Sequence, residues 1–309
     1  MQKISLLIPI YNGSEFLKNC LDSLSFQDPK DIEILFLDDN STDNTIELIN
    51  QFISKNNFHT KVLISRKNRG FYRSLKILLR LSTGSYYHVI GHDDFFSPNY
   101  FNHIMHSFGM QNGSDIIFCK TISYDLLAKS DAYQFRLNHQ AISGFFFLRN
   151  FFKLHLGNVY VGALKKSSFG IEVYFKLEKL GHIKFRQLTH DGFLNDHRIL
   201  LYFFSRKRNG TIYIENDAIF YKGFKPINKN LNQHDGRNLN PIDYNLAYLT
   251  GVMSALTFDI TAISIWMHCY FNLIKSCLNS CLRSPRLSIF LKSAYSLAVG
   301  LYYFIPGKR

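Results

Sequence analysis

The sequence predicts an α/β fold built on a parallel β-sheet, and two observations lead to that prediction. Over residues 1–120, short apolar runs of strand length alternate with longer stretches of helical periodicity. Strand and helix in turn at this spacing are typical of a parallel sheet that helices cover on both faces. Residues 121–240 are less regular and richer in aromatic patches, and residues 241–309 are helical in character. Three parts with these bounds are therefore expected.

The predicted elements follow one another in strict order. Ser, Thr and Asp residues precede the first two helices, and Pro98 opens the fourth, as is typical of helix starts. Strands are predicted at 4–10, 32–37, 61–65, 86–90 and 115–119, helices at 14–26, 43–54, 71–81 and 98–110, and two further strands at 211–214 and 218–221.

The composition narrows the class of partner. A net charge of +13 implies affinity for polyanions, which include nucleic acid, an anionic membrane face and phosphate-bearing substrates. The sequence has no zinc-finger spacing, no helix-turn-helix signature and no basic stretch with regularly interleaved aromatics, so we expect no nucleic-acid partner.

The cysteines and the start of the chain favour a reducing compartment. The five cysteines are scattered and include no Cys-x-x-Cys pair, which argues against a zinc site and a disulfide framework. The first apolar run, residues 4–10, is too short for a secretory signal and is predicted to be a strand. We therefore expect a cytoplasmic protein.

Two acidic clusters carry most of the functional signal. Residues 38–43 and residues 92–94 each follow a short apolar run directly. Ligands of open parallel sheets bind at the carboxyl ends of the strands, so these clusters predict a metal and nucleotide site. The alternative is that Asp39 and Asp43 only cap the helix that follows them.

Four segments together resemble the successive motifs of family 2 glycosyltransferases of the GT-A fold. They are 8–12 (IPIYN), 37–43 (LDDNSTD), 67–70 (KNRG) and 84–94 (GSY to HDD). The resemblance is strong to about residue 115 and weaker to about 225. It implies a Rossmann-like, mostly parallel sheet with helices on both faces. Residues 1–120 would bind a nucleotide sugar, residues 121–240 would bind the acceptor, and residues 241–309 would form a helical extension.

The resemblance also implies roles for single residues. Pro9, Tyr11 and Asn12 would shape the nucleotide pocket, and Asp39 would read the imide edge of a uracil-like base. Asp93 would face a divalent cation, Mn²⁺ or Mg²⁺, with Asp94 as a second metal-site residue. A divalent cation on carboxylates stabilises the charge that develops on a departing diphosphate.

The chain departs from the family pattern at two places. Gly91 stands where the first acid of the metal motif is often found, so the cation would have fewer carboxylates or would be helped by His92. Leu75-Lys76 replaces the family's Arg-Asn pair. Arg69, Arg73 or Lys76 would contact the diphosphate instead, and each is equally consistent with a solvated charge on a helix.

Inverting transfer also needs a general base on the acceptor side. The resemblance points to an acid before a helix in the second half, which leaves Asp196 and Asp191. Asp196 is preferred because an apolar helix, a glycine and a strand follow it. Either residue also fits a simple helix cap.

The predicted function is inverting transfer of a sugar from a nucleoside diphosphate donor, with UDP as the expected nucleotide, to a saccharide or lipid-linked saccharide. The pathway expected is surface polysaccharide or lipopolysaccharide synthesis. Because of Gly91 and Leu75-Lys76, a non-catalytic nucleotide-sugar-binding or scaffold protein stays open as the alternative. A nucleotidyltransferase is disfavoured, since the first strand lacks a glycine-rich basic loop.

Three interpretations stay open for the end of the chain. Residues 251–274 are weakly charged and long enough to span a bilayer, but Asp259 and His268 interrupt them. Packing on another part of the protein or on a second subunit is one alternative. Peripheral binding to the inner membrane face is the other, because Asp259 is the single acid of residues 251–309, against six basic residues from Lys275 onward.

Overall fold

A computed structural model describes most of the chain, which forms two compact units. The first unit is Met1–Tyr174 with Arg208–Pro226, and the second is Phe175–Lys207 with Ile227–Arg309. The roles expected for residues 1–120, 121–240 and 241–309 are not tested by this division and stay predictions. The described residues are 3–110, 114–126, 130–135, 141–150, 162–170, 195–224, 245, 249, 260–283, 285 and 287–302.

Four parallel strands form the first half of the sheet. They are β1 (Ile4–Ile10), β2 (Ile32–Asp38), β3 (His59–Ile64) and β4 (Tyr86–Val89), in the spatial order β3-β2-β1-β4. Every residue of β1 and β2 is buried, as expected for parallel strands with both faces covered. Strand β3 lies at the edge and is partly exposed, which explains its less apolar sequence.

Helices cover this half of the sheet on both faces. They are α1 (Ser14–Ser25), α2 (Thr45–Lys55), α3 (Phe71–Leu81) and α4 (Tyr100–Met110). Helices α1, α2 and α4 share one core with alternate residues of β1, whereas α3 packs on β1 and β2. The apolar residues of α1 recur at helical spacing and are buried: Leu17, Cys20, Leu21 and Leu24.

The second half of the sheet is mixed. Its elements are β5 (Phe95–Phe96), β6 (Ile116–Asp125), β7 (Ser130–Phe135), β8 (Ala141–Ser143), α5 (Gly144–Asn150), β9 (Gly162–Lys165) and β10 (Thr211–Phe224). The order continues from β4 as β9-β6-β10-β5. Strand β10 runs parallel to β6, whereas β9 is antiparallel to both β4 and β6, and β5 is antiparallel to β10.

The mostly parallel sheet with helices on both faces confirms the predicted fold class. Three details differ from the sequence expectation. The strands predicted at 211–214 and 218–221 are one strand, β10, whose register shifts between Glu215 and Ile219. Strand β9 separates β4 from β6, and the short strand β5 follows the second acidic cluster. These features depend on pairing between distant segments, which local periodicity does not report.

The second unit contains α6 (Asn195–Arg206), α7 (Ile260–Arg283) and α8 (Leu287–Tyr302), so the expected helical extension is present. Helices α7 and α8 form an antiparallel hairpin. The Tyr270 hydroxyl donates to the carbonyl of Leu297 at 3.2 Å, and Cys281 Sγ lies 3.5 Å from Ser293 Oγ. Within the described ranges, no helix combines the length and apolarity needed to cross a bilayer.

Candidate functional site

The predicted site residues gather at one edge of the sheet. Strand β1 lies between β2 and β4, and its end at Ile10 is in register with Asp38 at the end of β2. The loops that follow β1, β2 and β4 begin at Tyr11, Asp39 and Ile90. In a sheet of this order the crevice beside the central strand is the topological switch point, where ligands bind.

Pro9 lies where the ladder between β1 and β4 has ended. The last pair of that ladder is Leu7 with Val89, and the Leu7 carbonyl then accepts the N–H of Ile90 at 3.2 Å. On the other side, the Ile10 carbonyl accepts the N–H of Asp39, after β2, at 2.7 Å. Because successive residues of a strand direct their backbone groups to opposite neighbours, the backbone nitrogen of Pro9 faces β4. The missing N–H of Pro9 therefore costs no ladder bond, which explains a buried proline in a central strand.

Asn12 joins the loop after β1 to the loop after β2. Its side-chain oxygen accepts the N–H of Thr42 at 2.9 Å, and its own N–H donates to Ser41 Oγ at 2.9 Å. It adopts the left-handed conformation, with φ of 49°. Asn12 thus ties the loop after β2 to the loop after β1, and its role in a nucleotide pocket stays a prediction.

Asp43 binds the starts of two helices, although the N-cap residue of α2 is Asn44. Its carboxylate accepts the N–H of Ser14 at 2.9 Å and that of Thr45 at 3.1 Å, the first residues of α1 and α2. Burial acts to raise its pKa, but the hydrogen bonds from Thr45 and Ser14 outweigh burial and lower it to about 2. The charged Asp43 carboxylate therefore links the N-terminal ends of α1 and α2 through hydrogen bonds.

Asp39 has a different arrangement, so the capping alternative is wrong for this residue. Its Oδ2 accepts the backbone N–H groups of Arg69 at 2.8 Å and Gly70 at 2.7 Å, at the start of α3. The side chain is 3% exposed, and Oδ1 has no hydrogen-bond partner within the described part of the chain. One oxygen is held by two amides and the other is left to accept a proton donor.

The other residues predicted for the nucleotide pocket are accessible. Tyr11 is 47% exposed directly after β1, so its ring is open to a ligand. The side chains of Arg69 and Arg73 are also exposed, at the start of α3. Leu75 is buried, so at this position the family's polar residue is replaced by a core residue.

In the second acidic cluster, Asp94 is turned inward. Its Oδ2 accepts the N–H of Gly91 at 2.8 Å and its Oδ1 that of Gly223, on β10, at 3.2 Å. Burial, followed by the charge of Asp93, raises the pKa of Asp94 to about 7, although these hydrogen bonds and the Lys222 charge act to lower it. Asp94 therefore supports the loop, and the half-buried Asp93 is the carboxylate left for a ligand.

Two glycines allow the loop to pack closely. A Cβ atom on Gly223 would lie 2.0 Å from the carbonyl oxygen of Asp93, closer than any real contact. A Cβ atom on Gly91 would lie 2.5 Å from Asp93 Oδ1. The departure from the family pattern at Gly91 thus leaves room for the Asp93 carboxylate. Sequence reasoning missed Gly223 and Lys222, because only strand pairing brings them here.

His92 connects this loop with the loop after β1. A Cβ atom on Gly13 would lie 3.0 Å from His92 Cγ, so the imidazole packs against the Gly13 backbone. Cys20 of α1 is also close enough to sense the two acids. Burial, then the charges of Asp94 and Asp93, raises the pKa of the Cys20 thiol. The thiol therefore stays protonated and is no candidate nucleophile.

The residues present fit a divalent cation with Asp93 as its protein ligand. Carboxylate oxygens are preferred by Mg²⁺ and Mn²⁺, and a cation would offset the repulsion between Asp93 and Asp94. A separate group in the described residues, His103 with Glu215 and Asp217, has ligand atoms within 4.8 Å of one another. It includes neither predicted metal residue, and the Glu215 carboxylate accepts hydrogen bonds from Ser107 and Asp217.

The two candidate bases belong to a later segment of the chain than these loops. Asp196 is the second residue of α6, in the second unit, and Asp191 falls outside the described residues. The helix expected after Asp196 is present, followed by β10. The choice between the two acids stays a prediction.

The family model for glycosyl transferase family 2 matches residues 5–165, more than half of the chain. The chain belongs to this family. The matched segment contains every predicted donor-side residue, from Pro9 to Asp94. Asp191 and Asp196 fall beyond it.

Curated relatives are similar over part of the chain. A chondroitin synthase of Escherichia coli is 33% identical over 97 residues, which are 31% of this chain and 14% of that protein. A poly(ribitol-phosphate) beta-glucosyltransferase of Bacillus spizizenii is 33% identical over 122 residues, 38% of this chain and 19% of that protein. The chain thus spans less than a fifth of either relative.

Solved structures of the same fold cover nearly the whole chain. S. aureus TarS 1-349 in complex with UDP-GlcNAc has a TM-score of 0.65 at 15% identity, over 97% of this chain and 81% of that one. The mannosyltransferase PcManGT from Pyrobaculum calidifontis, in complex with GDP-Man and Mn²⁺, has a TM-score of 0.54 at 13% identity, over 98% and 82%. These likenesses establish the GT-A-like fold.

Proposed function

We propose that this protein transfers a sugar, with inversion, from a UDP-sugar to a hydroxyl group of a saccharide or lipid-linked saccharide. One observation carries the proposal. Asp39 holds one carboxylate oxygen on two backbone amides and leaves the other buried and unpaired, at the sheet edge that also carries Asp93. A buried acceptor without a partner is unfavourable unless a ligand supplies a donor.

The donor base fits this geometry. Uracil has an imide N–H that Asp39 Oδ1 would accept, whereas cytosine has no proton at that ring nitrogen. Tyr11, exposed beside Asp39, would stack on the base, an interaction worth about 1 to 3 kcal/mol in comparable cases. The complexes of TarS with UDP and UDP-GlcNAc, at the same fold, support a uridine nucleotide and are compatible with a hexosyl or N-acetylhexosaminyl donor.

The diphosphate would lie between Asp93 and the basic residues at the start of α3. When bound at Asp93, a divalent cation supplies positive charge to the departing diphosphate. Arg69, whose backbone N–H donates to Asp39, and Arg73 both have exposed side chains, which would attract the phosphates electrostatically. Asp94 keeps the Asp93 loop in position through Gly91 and Gly223. The Mn²⁺ in the complex of PcManGT supports this assignment.

The acceptor would be activated by an acid of the second unit. Asp196 at the start of α6 would take the proton of the attacking hydroxyl, with Asp191 as the alternative. Inversion requires this base to face the anomeric carbon from the side opposite the diphosphate. A base within hydrogen-bond reach of the hydroxyl contributes about 10² to 10⁴ in rate.

The acceptor class is proposed from the relatives and from charge. The two curated relatives are named for chondroitin and poly(ribitol-phosphate), which are both polymers, so a growing surface polysaccharide or lipopolysaccharide is the acceptor we propose. Residues 260–309 contain no Asp or Glu, which suits a cytoplasmic enzyme that works peripherally at the inner membrane face on a lipid-linked saccharide.

Calorimetric titration with UDP, GDP, CMP and dTDP, with and without Mn²⁺, tests the donor half. We expect UDP to bind best, with an affinity that Mn²⁺ raises in the wild type and does not raise in Asp93→Ala. The matched control is Asp22→Ala, which removes an exposed carboxylate on α1. Absence of binding by every nucleotide would overturn the proposal.

The acceptor half is tested by slow hydrolysis of the donor and by transfer. Asp196→Asn is expected to abolish transfer while UDP binding persists, and Asp191→Asn is expected to retain both. The reverse result would assign the base to Asp191. Donor binding without transfer or hydrolysis, with any metal, would favour a non-catalytic nucleotide-sugar-binding protein.

A further inference from the structure

Helix α7 exposes a stripe of large apolar side chains. Consecutive residues of an α-helix are about 100° apart, which places the four members of the stripe within an arc of about 60°. The opposite side of α7 carries the buried residues Ile265, Cys269, Leu273 and Cys277. The stripe consists of Met267 (45% exposed), Phe271 (62%), Leu278 (58%) and Leu282 (81%).

Helix α8 exposes a second stripe. Its large members lie within an arc of about 120°, and the exposed residues between them, Ala294 and Ala298, are apolar too. Ser293 and Ser296 are buried on the other side of the helix. The large members are Leu287 (76% exposed), Leu291 (63%), Tyr295 (59%) and Leu301 (51%).

Both stripes lie on the same side of the hairpin. Tyr270 and Cys281 mark the side of α7 that contacts α8, and Ser293 and Leu297 mark the side of α8 that contacts α7. The rotation about the helix axis from this contact to the middle of the stripe is about 90° in α7 and about 120° in α8. Both rotations are in the sense in which residue numbers increase. Because the helices are antiparallel, rotations in the same sense bring both stripes to one surface, the hairpin face.

The acidic and basic residues of this part of the sequence are all of one sign. Residues 260–309 contain no Asp or Glu and six Lys or Arg residues. Lys275 and Arg283 of α7 are both exposed, and Lys275 lies at the edge of its stripe, one turn beyond Phe271. An exposed apolar strip in a segment whose Lys and Arg residues are balanced by no acid is the pattern of helices that lie in the headgroup region of an anionic membrane.

We propose that the hairpin face binds the surface of a membrane that contains anionic lipids, with α7 and α8 lying in the plane of the interface. The charge argues against a second copy as the occupant, since two identical faces without acids would bring like charges together. The proposal does not rest on sugar transfer, because membrane binding is measured without donor or acceptor.

Flotation of the full chain with lipid vesicles tests the proposal. The vesicles are phosphatidylcholine alone, or phosphatidylcholine mixed with phosphatidylglycerol, at low and high salt. We expect binding to the mixed vesicles, weakened by salt, and little binding to phosphatidylcholine alone. The double variant Phe271→Ser/Leu282→Ser is expected to lose about tenfold or more in partitioning. Its control is Phe26→Ser, which removes a 71% exposed aromatic of the first unit.

Charge is tested separately. Lys275→Glu is expected to weaken binding to mixed vesicles several-fold, and Lys61→Glu, an exposed lysine of β3, is expected to leave it unchanged. Calorimetric UDP binding by the double variant separates loss of the hairpin face from loss of the donor site. Equal partitioning of wild type and double variant would overturn the proposal. So would a concentration-dependent dimer, seen by light scattering, that the double variant abolishes while no vesicle binding occurs.

Discussion

The backbone N–H of Gly223 donates a hydrogen bond of 3.2 Å to Oδ1 of Asp94. This bond joins the end of β10 to the loop after β4, although 129 positions separate the two residues in the chain. The other oxygen of Asp94 accepts the N–H of Gly91 within the same loop. The buried Asp94 carboxylate thus helps to fix the position of its neighbour Asp93, and β10 becomes part of the proposed donor site.

Gly223→Ala is expected to disturb the site through the backbone. The new Cβ atom would lie 2.0 Å from the Asp93 carbonyl oxygen, so β10 or the loop must move. Overpacking of this kind costs about 1 to 3 kcal/mol of the free energy of unfolding. We also expect the Mn²⁺-dependent gain in UDP affinity to fall at least about tenfold, which a shift of roughly 1.4 kcal/mol produces. Urea unfolding and calorimetry measure the two effects.

Gly91→Ala is the matched control for Gly223→Ala. Its Cβ atom meets the side-chain oxygen of Asp93 at 2.5 Å, and a side chain can rotate away where a carbonyl cannot. Stability close to wild type with a reduced Mn²⁺ effect is expected. If Gly223→Ala binds UDP and Mn²⁺ as the wild type does, Gly223 has no role in positioning Asp93.

Asp39→Asn is expected to lower UDP affinity by about tenfold to a hundredfold. The amide oxygen can still accept from Arg69 and Gly70, so the fold should persist. The NH₂ group would then replace Oδ1 and present a donor to the imide N–H of uracil, and unpaired buried donors cost about 1 to 3 kcal/mol. Calorimetry with UDP measures the loss.

The matched control for Asp39→Asn is Asp38→Asn, which changes the adjacent buried carboxylate. Asp38 is 1% exposed, and its Oδ2 accepts the N–H of Ser41 at 3.1 Å. Its Oδ1, like that of Asp39, is buried without a hydrogen-bond partner among the described residues. We expect a smaller effect on UDP affinity, because Asp38 is bound to the loop after β2 through Ser41, whereas Asp39 is the residue proposed to accept from the base. Equal losses in the two variants would show that Asp39 acts through the loop alone.

His88 is expected to make the protein sensitive to acid. Burial lowers its pKa to about 4, although a hydrogen bond with the Val89 carbonyl opposes this, and its ring contacts the Tyr100 hydroxyl at 2.8 Å. The native protein keeps His88 neutral, whereas the unfolded chain takes up a proton below about pH 6.5. Stability from this group is therefore complete above that pH and falls as the pH drops, by about 2 kcal/mol from pH 7 to pH 5.

His88→Gln removes this titration and keeps a polar group beside Tyr100. The free energy of unfolding is measured in urea without metal at about pH 7 and about pH 5. Its decrease between these pH values should be about 2 kcal/mol smaller in the variant than in the wild type. The pKa of Asp94 is raised to about 7, so protonation of Asp94 stabilises the native protein as the pH falls and partly offsets the effect of His88. The contribution of His88 is therefore measured as the difference between wild type and variant. His106→Gln, exposed on α4, is the control. Equal pH dependence in His88→Gln and wild type would refute the assignment.

Much of the fold was predictable because its signals are local. The fully buried strands β1 and β2 appear in the sequence as apolar runs of strand length, and the helices between them as 3.6-residue periodicity. The donor-side residues are found in the same way, since polar residues directly after a buried strand must lie at the carboxyl edge of the sheet. The positions of Asp39 and Asp93 at one edge follow from these local signals alone.

The roles within the two Asp pairs could not be predicted, because the partner groups are remote in the chain. Asp39 is oriented by the amides of Arg69 and Gly70, and Asp94 by Gly223. Their neighbours in sequence, Asp38 and Asp93, have the same side chain and a similar local context. Which of two adjacent carboxylates is held by remote amides is decided by the donors that the folded chain places around it.

Local sequence patterns are sufficient to predict the α/β class, the edge of the sheet where the predicted site residues lie and the basic, apolar character of residues 260–309. All three follow from the kind and spacing of neighbouring residues. Three features emerge only in the folded chain: β9 separates β4 from β6, Gly223 lies against Asp93, and the stripes of α7 and α8 face one side. These are relationships between distant segments, set by strand pairing and helix packing, whose energies no local pattern records.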